Sequence, residues 1–246
     1  MNRMATTMIA ATAVCCLAAG LWNATAAPPA QQAPPAGKLR KPQMSDTIKA
    51  AVYADNTFLL YINGELTAVD SISFIPHNVI AVDILPRYPM TIAVMARDNA
   101  DPKTGMEYAN TNIGDGGFIL KFSDGTVTSA AWKAQVISSG PIGGDKQNPR
   151  VETVPLPENW FAVDFDDSRW GQAVEYTEEQ VDPKQPWFEH DFSGAKFIWA
   201  GDLAIDNTVL FRHVVESPPD GKQRPDFSNI NNVVPDNPPK KKGKGK

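Results

Sequence analysis

AVYADNTFLLYINGE, residues 51–65, is the stretch on which the fold turns. Apolar side chains stand at Val52, Ala54, Phe58, Leu60 and Ile62, every second position of an extended chain, so one face is apolar from end to end. Asp55-Asn56-Thr57 interrupts the run as a bend or a β-bulge does. Asn63-Gly64 then supplies two residues that tolerate positive φ, which a type I′ turn requires because its hand matches the twist of the strands beside it. The stretch reads as one arm of a β-hairpin ending in a tight turn, with residues 66–69 pairing back and later strands folding onto it.

Outward from this arm, residues 48–53 alternate in the same way. Short β-rich runs follow at 72–75, 79–85 and 90–96, separated by Pro76-His77-Asn78 and Pro86-Arg87-Tyr88-Pro89. Proline is tolerated at such boundaries because no ladder N–H is needed there. Residues 118–122 and 126–129 flank Ser123-Asp124-Gly125, a second hairpin signal. WKAQVI (132–137), WFAVDFDDSRW (160–170), FIW (197–199) and residues 208–215 complete the set, and a short helical turn is expected near 177–180. About a dozen short strands punctuated by turn residues predict one all-β domain over 47–216, a sandwich or jelly roll. Residues 97–117, RDNADPKTGMEYANTNIGDGG, show no period, and loops of that length inside a domain skew functional.

The ends read differently. Residues 1–26 combine Arg3, an apolar small-residue run and Ala24-Thr25-Ala26, the pattern of a secretory signal peptide cut before Ala27. That run is shorter than the roughly 20 residues that span a bilayer, so the expected destination is secretion or the periplasm, with no transmembrane span. Cys15 and Cys16 lie inside it, which leaves the processed chain without a thiol for a disulfide, a metal or a nucleophile. Residues 27–46 are a linker rich in Pro, Ala and Gln. Residues 217–246 form a Pro-, Asn- and Lys-rich tail, expected to be disordered and closing in KKKGKGK. Without Arg3 and the five lysines of that close, 17 basic face 28 acidic residues, a net charge of −11 that does not suit nucleic acid as a partner. The lysines suit an anionic surface, a contact that salt would screen.

Four segments together resemble a known family: ADNTFLLYINGE (54–65), WKAQ (132–135), NWFAVDFDDSRW (159–170), and AKFIW (195–199) followed by VLFRHVV (209–215). They look like the galactose-binding-like jelly rolls appended to β-galactosidases, α-L-rhamnosidases and other secreted proteins. The resemblance covers residues 47–216. It implies an all-β jelly-roll β-sandwich, in many members a structural calcium, and in many a sugar site in the loops at one end. One departure stands out: in rhamnosidase-type domains the WiW and fRk segments precede the lYvNG segment, whereas here they close the chain. Nothing resembling a catalytic domain follows these segments, which argues against inheriting an enzyme's activity from the fold.

Among candidate site residues, Asp164, Asp166 and Asp167 are hard oxygen donors of the kind Ca²⁺ takes. A plainer reading has Asp167 and Ser168 capping a turn that Trp170 anchors in the core. In the long loop, Asp98, Asn99, Asp101, Glu107, Asn110, Asn112 and Asp115 suit an ion or the hydroxyls of a sugar, and equally a solvated loop. Tyr108 adds a flat apolar face, so Tyr108, Asn110 and Asn112 make a lectin-like set in which a sugar stacks on the ring while amides take its hydroxyls. Trp187 and His190 form a second set, either an exposed stacking platform or a cluster tucked under its own loop. His77, His190 and His213 never stand at zinc-site spacing, and Arg212 with His213 is expected to face outward from its strand. Signatures of nucleophile, phosphate or dinucleotide chemistry are missing, which leaves a two-carboxylate glycosidase as the enzymatic alternative. The expectation is therefore a non-catalytic module that binds carbohydrate or a cell-surface glycan through end loops, and the alternative is a structural or protein-interaction module of the bacterial envelope.

Overall fold

A computed structural model describes residues 41–72, 78–185 and 187–227. Strand alternation sets its faces. In β1 (Ile48–Asp55), Ile48, Ala50, Val52 and Ala54 point into one apolar layer and are at most 1% exposed. In β2 (Thr57–Ile62), Phe58, Leu60 and Ile62 join the same layer from the opposite side. The even-numbered apolar series thus holds across Asp55-Asn56-Thr57, although the segment is not one hairpin arm. The chain turns a corner there, through a cis Asp55–Asn56 bond, and passes from one sheet to the other. A bulge and a sheet crossing interrupt a sequence pattern in the same way, and only long-range pairing separates them.

The remaining strands are β3 (Glu65–Asp70), β4 (Val79–Ile84), β5 (Met90–Arg97), β6 (Met106–Glu107), β7 (Asn112–Ile113), β8 (Gly117–Phe122) and β9 (Lys133–Ser139). They are followed by β10 (Glu152–Thr153), β11 (Gly171–Gln172), β12 (Val174–Tyr176), β13 (Phe197–Trp199) and β14 (Asp206–Val215). One sheet runs β12-β13-β8-β1-β4, the other β10-β9-β14-β5-β2-β3 with β11 also on β9, and every pairing is antiparallel. The fold is all-β, a sandwich whose central layer includes Val52, Leu60, Val94, Phe118, Trp132, Trp199 and Phe211. The Asn63-Gly64 turn joins β2 to β3 with φ of 51° and 85°, and Asn63 is tied to the β5 entrance through Thr91 N–H donating to Oδ1 at 2.9 Å. The turn near 177–180 is a short helix α1 (Glu178–Val181) with a reciprocal capping box between Thr177 and Gln180. No described helix is long and apolar enough to cross a membrane.

Two further apolar layers cover the outsides of the sheets. Tyr53, Ile119 and Phe197 on the outer face of the first sheet pack under Val181 and Phe192. Ala93 and Leu210 on the outer face of the second pack under Trp160 and Trp170. Residues 160–170 form no strand; they are a run of turns that roofs this face, with Tyr61 stacked on Phe161 at 4.5 Å. This corrects the expectation of an outward-facing Arg212–His213 pair: only Arg212 faces outward, and there it is covered. Neighbours on a strand point to opposite faces, so His213 turns inward to stack on Trp132 at 5.2 Å, while Arg212, 1% exposed, lies beneath the roof. The run at 72–75 falls largely outside the described residues, as does His77. Of the tail, residues 217–227 are described and include a bidentate Arg224–Asp220 pair, while the lysine close and the N-terminal segment lie outside them.

Gly105 sits with φ +66° where the long loop crosses residue 140, and a Cβ there would overlap the Gly140 backbone. Gly105→Ala is expected to cost at least about 2 kcal/mol, from positive φ and backbone overlap together, read as a lower urea midpoint.

Candidate functional site

The long loop starts at the end of β5 and closes on the start of β8, with β6 and β7 pairing inside it through Met106–Ile113 and Glu107–Asn112. Asp98 N–H donates to the carbonyl of Asn207 at 3.0 Å, and Asn99 N–H to Asn56 Oδ1 at 2.6 Å, so the loop's first residues are pinned to β14 and to the β1–β2 corner. Residues Tyr108, Ala109 and Asn110 then take three consecutive left-handed conformations, φ 46°, 57° and 65°, a turn closed by Thr111 N–H donating to Glu107 O at 3.0 Å. Left-handed backbone costs L-residues roughly 1 kcal/mol each, so the rest of the loop must hold this turn in place.

That arrangement brings Asp98, Glu107 and Asp115 together: one ligand oxygen from each lies within 4.8 Å of the others. Asp98 is 5% and Glu107 2% exposed, and Asp115 closes the solvent side. Both carboxylate oxygens of Asp98 and Oε1 of Glu107 are buried without a hydrogen-bond donor. Gly114 packs so tightly on Asp98 that a Cβ at 114 would collide with Oδ2. Burial first, and the neighbouring Glu107 second, push the Asp98 carboxyl far above the usual carboxylate range. An unpaired acid this deep is costly unless a proton or a cation sits beside it.

The residues singled out from sequence divide among three places. Asp164, Asp166 and Asp167 do not converge as an ion site. Asp164 is exposed, Asp166 Oδ1 accepts from Ser168 N–H at 3.0 Å, and Asp167 Oδ2 accepts from Arg212 Nε at 3.0 Å. Tyr108 and Asn110 line a shallow groove with Asn99, Asp101 and Met106, while Asn112 lies on β7 outside it. Asn110 Oδ1 is engaged by the Thr104 hydroxyl.

Trp187 and His190 line a separate cleft of about 790 Å³ above the outer face of the first sheet. Trp187 tucks inward, stacked on Phe192 at 6.1 Å and tilted against Phe197 at 5.5 Å. Phe188 stands edge-on to it and is 53% exposed. Both sequence readings of this segment are thus present, one per ring. Glu178, Asp191 and Ser193 supply polar groups around the rings. Lys121 Nζ donates to Asp191 Oδ2 at 2.7 Å and, with Ser193, holds that carboxyl well below the usual range, so it stays an ionised acceptor.

Compared with protein-family models, with curated proteins and with solved structures, the chain matches none.

Proposed function

We propose that this chain is an exported, non-catalytic β-sandwich module that binds carbohydrate. The observation that carries the reading is the cleft at Trp187–Phe192, where an exposed phenyl face stands beside fixed acceptors. A pyranose lays its C–H face on an aromatic ring while ionised and hydroxyl groups take its hydroxyls, and Phe188 with Asp191, Ser193 and Glu178 offers both. The galactose-binding-like resemblance and the signal-like N-terminus support the same reading. Catalysis has less support. Glycoside hydrolysis needs two carboxylates flanking a bound substrate, and the closely set pair Asp98–Glu107 has its oxygens buried from any such ligand. In the cleft, Lys121 holds Asp191 ionised, which suits an acceptor and not a general acid, and Glu175 Oε1 accepts from Ala130 N–H at 2.8 Å.

Titration of the purified chain against an oligosaccharide panel is expected to find a ligand, and Phe188→Ala to weaken it about tenfold, the loss of one stacking face. Absence of binding across the panel, or an unchanged affinity in the variant, overturns the reading. Envelope-protein binding has one observation in its favour: β3 is an edge strand with Leu66 and Val69 exposed at 55% and 42%, a surface suited to strand addition.

A further inference from the structure

We propose that Asp98, Glu107 and Asp115 form a calcium site that fastens the 98–117 loop to the end of the sandwich. Three observations meet there. Three carboxylates from separate parts of the loop converge within 4.8 Å although like charges repel. Two of the three, Asp98 and Glu107, are more than nine-tenths buried, and three of their oxygens have no donor. The backbone at Gly114 leaves Asp98 no space to turn away. A cation supplies the partner that the Asp98 and Glu107 oxygens lack.

The donor set identifies the ion. All three ligands are carboxylates, with no imidazole or thiolate, which selects a hard cation. Magnesium demands octahedral geometry and keeps several waters, so it is held by one or two carboxylates more often than by a cluster of three. Calcium accepts irregular oxygen shells, takes carboxylates in one- or two-oxygen modes and sheds water readily.

The test uses the full chain, freed of metal by chelation and titrated with calcium chloride in a calorimeter. One ion per chain is expected to bind, and the midpoint of thermal unfolding to rise by about 5 °C or more at 1 mM calcium, because an ion that binds only the folded state stabilises it. Magnesium at the same concentration should raise it by less than a third as much. Asp115→Asn, at an exposed position, should weaken calcium at least tenfold with an unchanged circular dichroism spectrum. Asp98→Asn and Glu107→Gln should abolish the heat. No heat and no thermal shift in the wild type, an equal shift with magnesium, or full binding by the Asp98→Asn chain each overturns the assignment. None of these readouts depends on a saccharide, so the site stands or falls separately from the cleft.

Discussion

Arg212→Met is expected to destabilise the fold by about 3 kcal/mol, the scale of stripping one partner from a buried charged network. The guanidinium is 1% exposed beneath residues 160–170. Its Nε donates to Asp167 at 3.0 Å, one terminal nitrogen donates to the Trp160 carbonyl at 2.6 Å, and its plane lies 5.3 Å from the Phe165 ring centre. Methionine keeps the aliphatic volume and removes every donor. The Trp160 carbonyl then loses its charged partner in a buried setting, at a cost of roughly 1–3 kcal/mol, and the roof loses both of its hydrogen bonds to residue 212 of β14. Asp167 is 26% exposed and finds water instead, so Asp167→Asn should cost only about 1 kcal/mol. Urea unfolding followed by tryptophan fluorescence checks both, with the slope expected to stay constant while the midpoint falls. Equal midpoints for Arg212→Met and wild type would mean that the roof is held by its rings alone. The double variant should lose less than the sum of the two, because each single change already removes the shared bond.

This network also shows where reading the sequence stops. FDDSRW is legible as a turn with a buried tryptophan, since Asx bonding and an aromatic anchor are local. That it lies over β14 is not legible, because the partner is an arginine forty-five residues on. An arginine in an alternating strand looks like an outward group, and it is one; only the roof makes outward mean buried. The Asn63-Gly64 turn and the alternation from Ile48 to Ile62 were readable because backbone conformation and face are set by neighbouring residues. The corner at Asp55–Asn56 was visible as an interruption, but its identity as a sheet crossing depends on β8 and β5, which pair with the two sides. In the long loop, Asp98, Glu107 and Asp115 stood among seven equally polar residues. No spacing rule picks three acids from a loop whose turn is left-handed, so the three that converge had to be found in space. The aromatic segment at Trp187–Phe192 was legible as apolar residues in a loop, not as one ring in and one ring out.

The calcium-free chain should become more stable when Asp98 is replaced by asparagine. In the unfolded state Asp98 ionises near its ordinary value of 3.8, whereas in the fold burial and Glu107 hold it protonated far above that. A raised folded-state value means that the group's contribution is intact below pH 4 and is lost progressively as pH rises, because the unfolded chain then gives up a proton that the folded chain must keep. At pH 7 the three pH units above 3.8 correspond to a cost of at most about 4 kcal/mol, at 1.36 kcal/mol per unit. Asparagine is neutral, nearly isosteric and can donate to Glu107, so it escapes that cost. In chelator, urea unfolding between pH 5 and 8 should show wild-type stability falling relative to Asp98→Asn as pH increases. Two parallel curves would mean that Asp98 is not titrating out of range and that its burial is relieved in some other way. With calcium in excess the order should invert, since the wild type then gains the ion and the variant does not. A residue kept only for packing would be improved by asparagine under both conditions, so the crossing of the curves separates a structural acid from one retained to hold a cation.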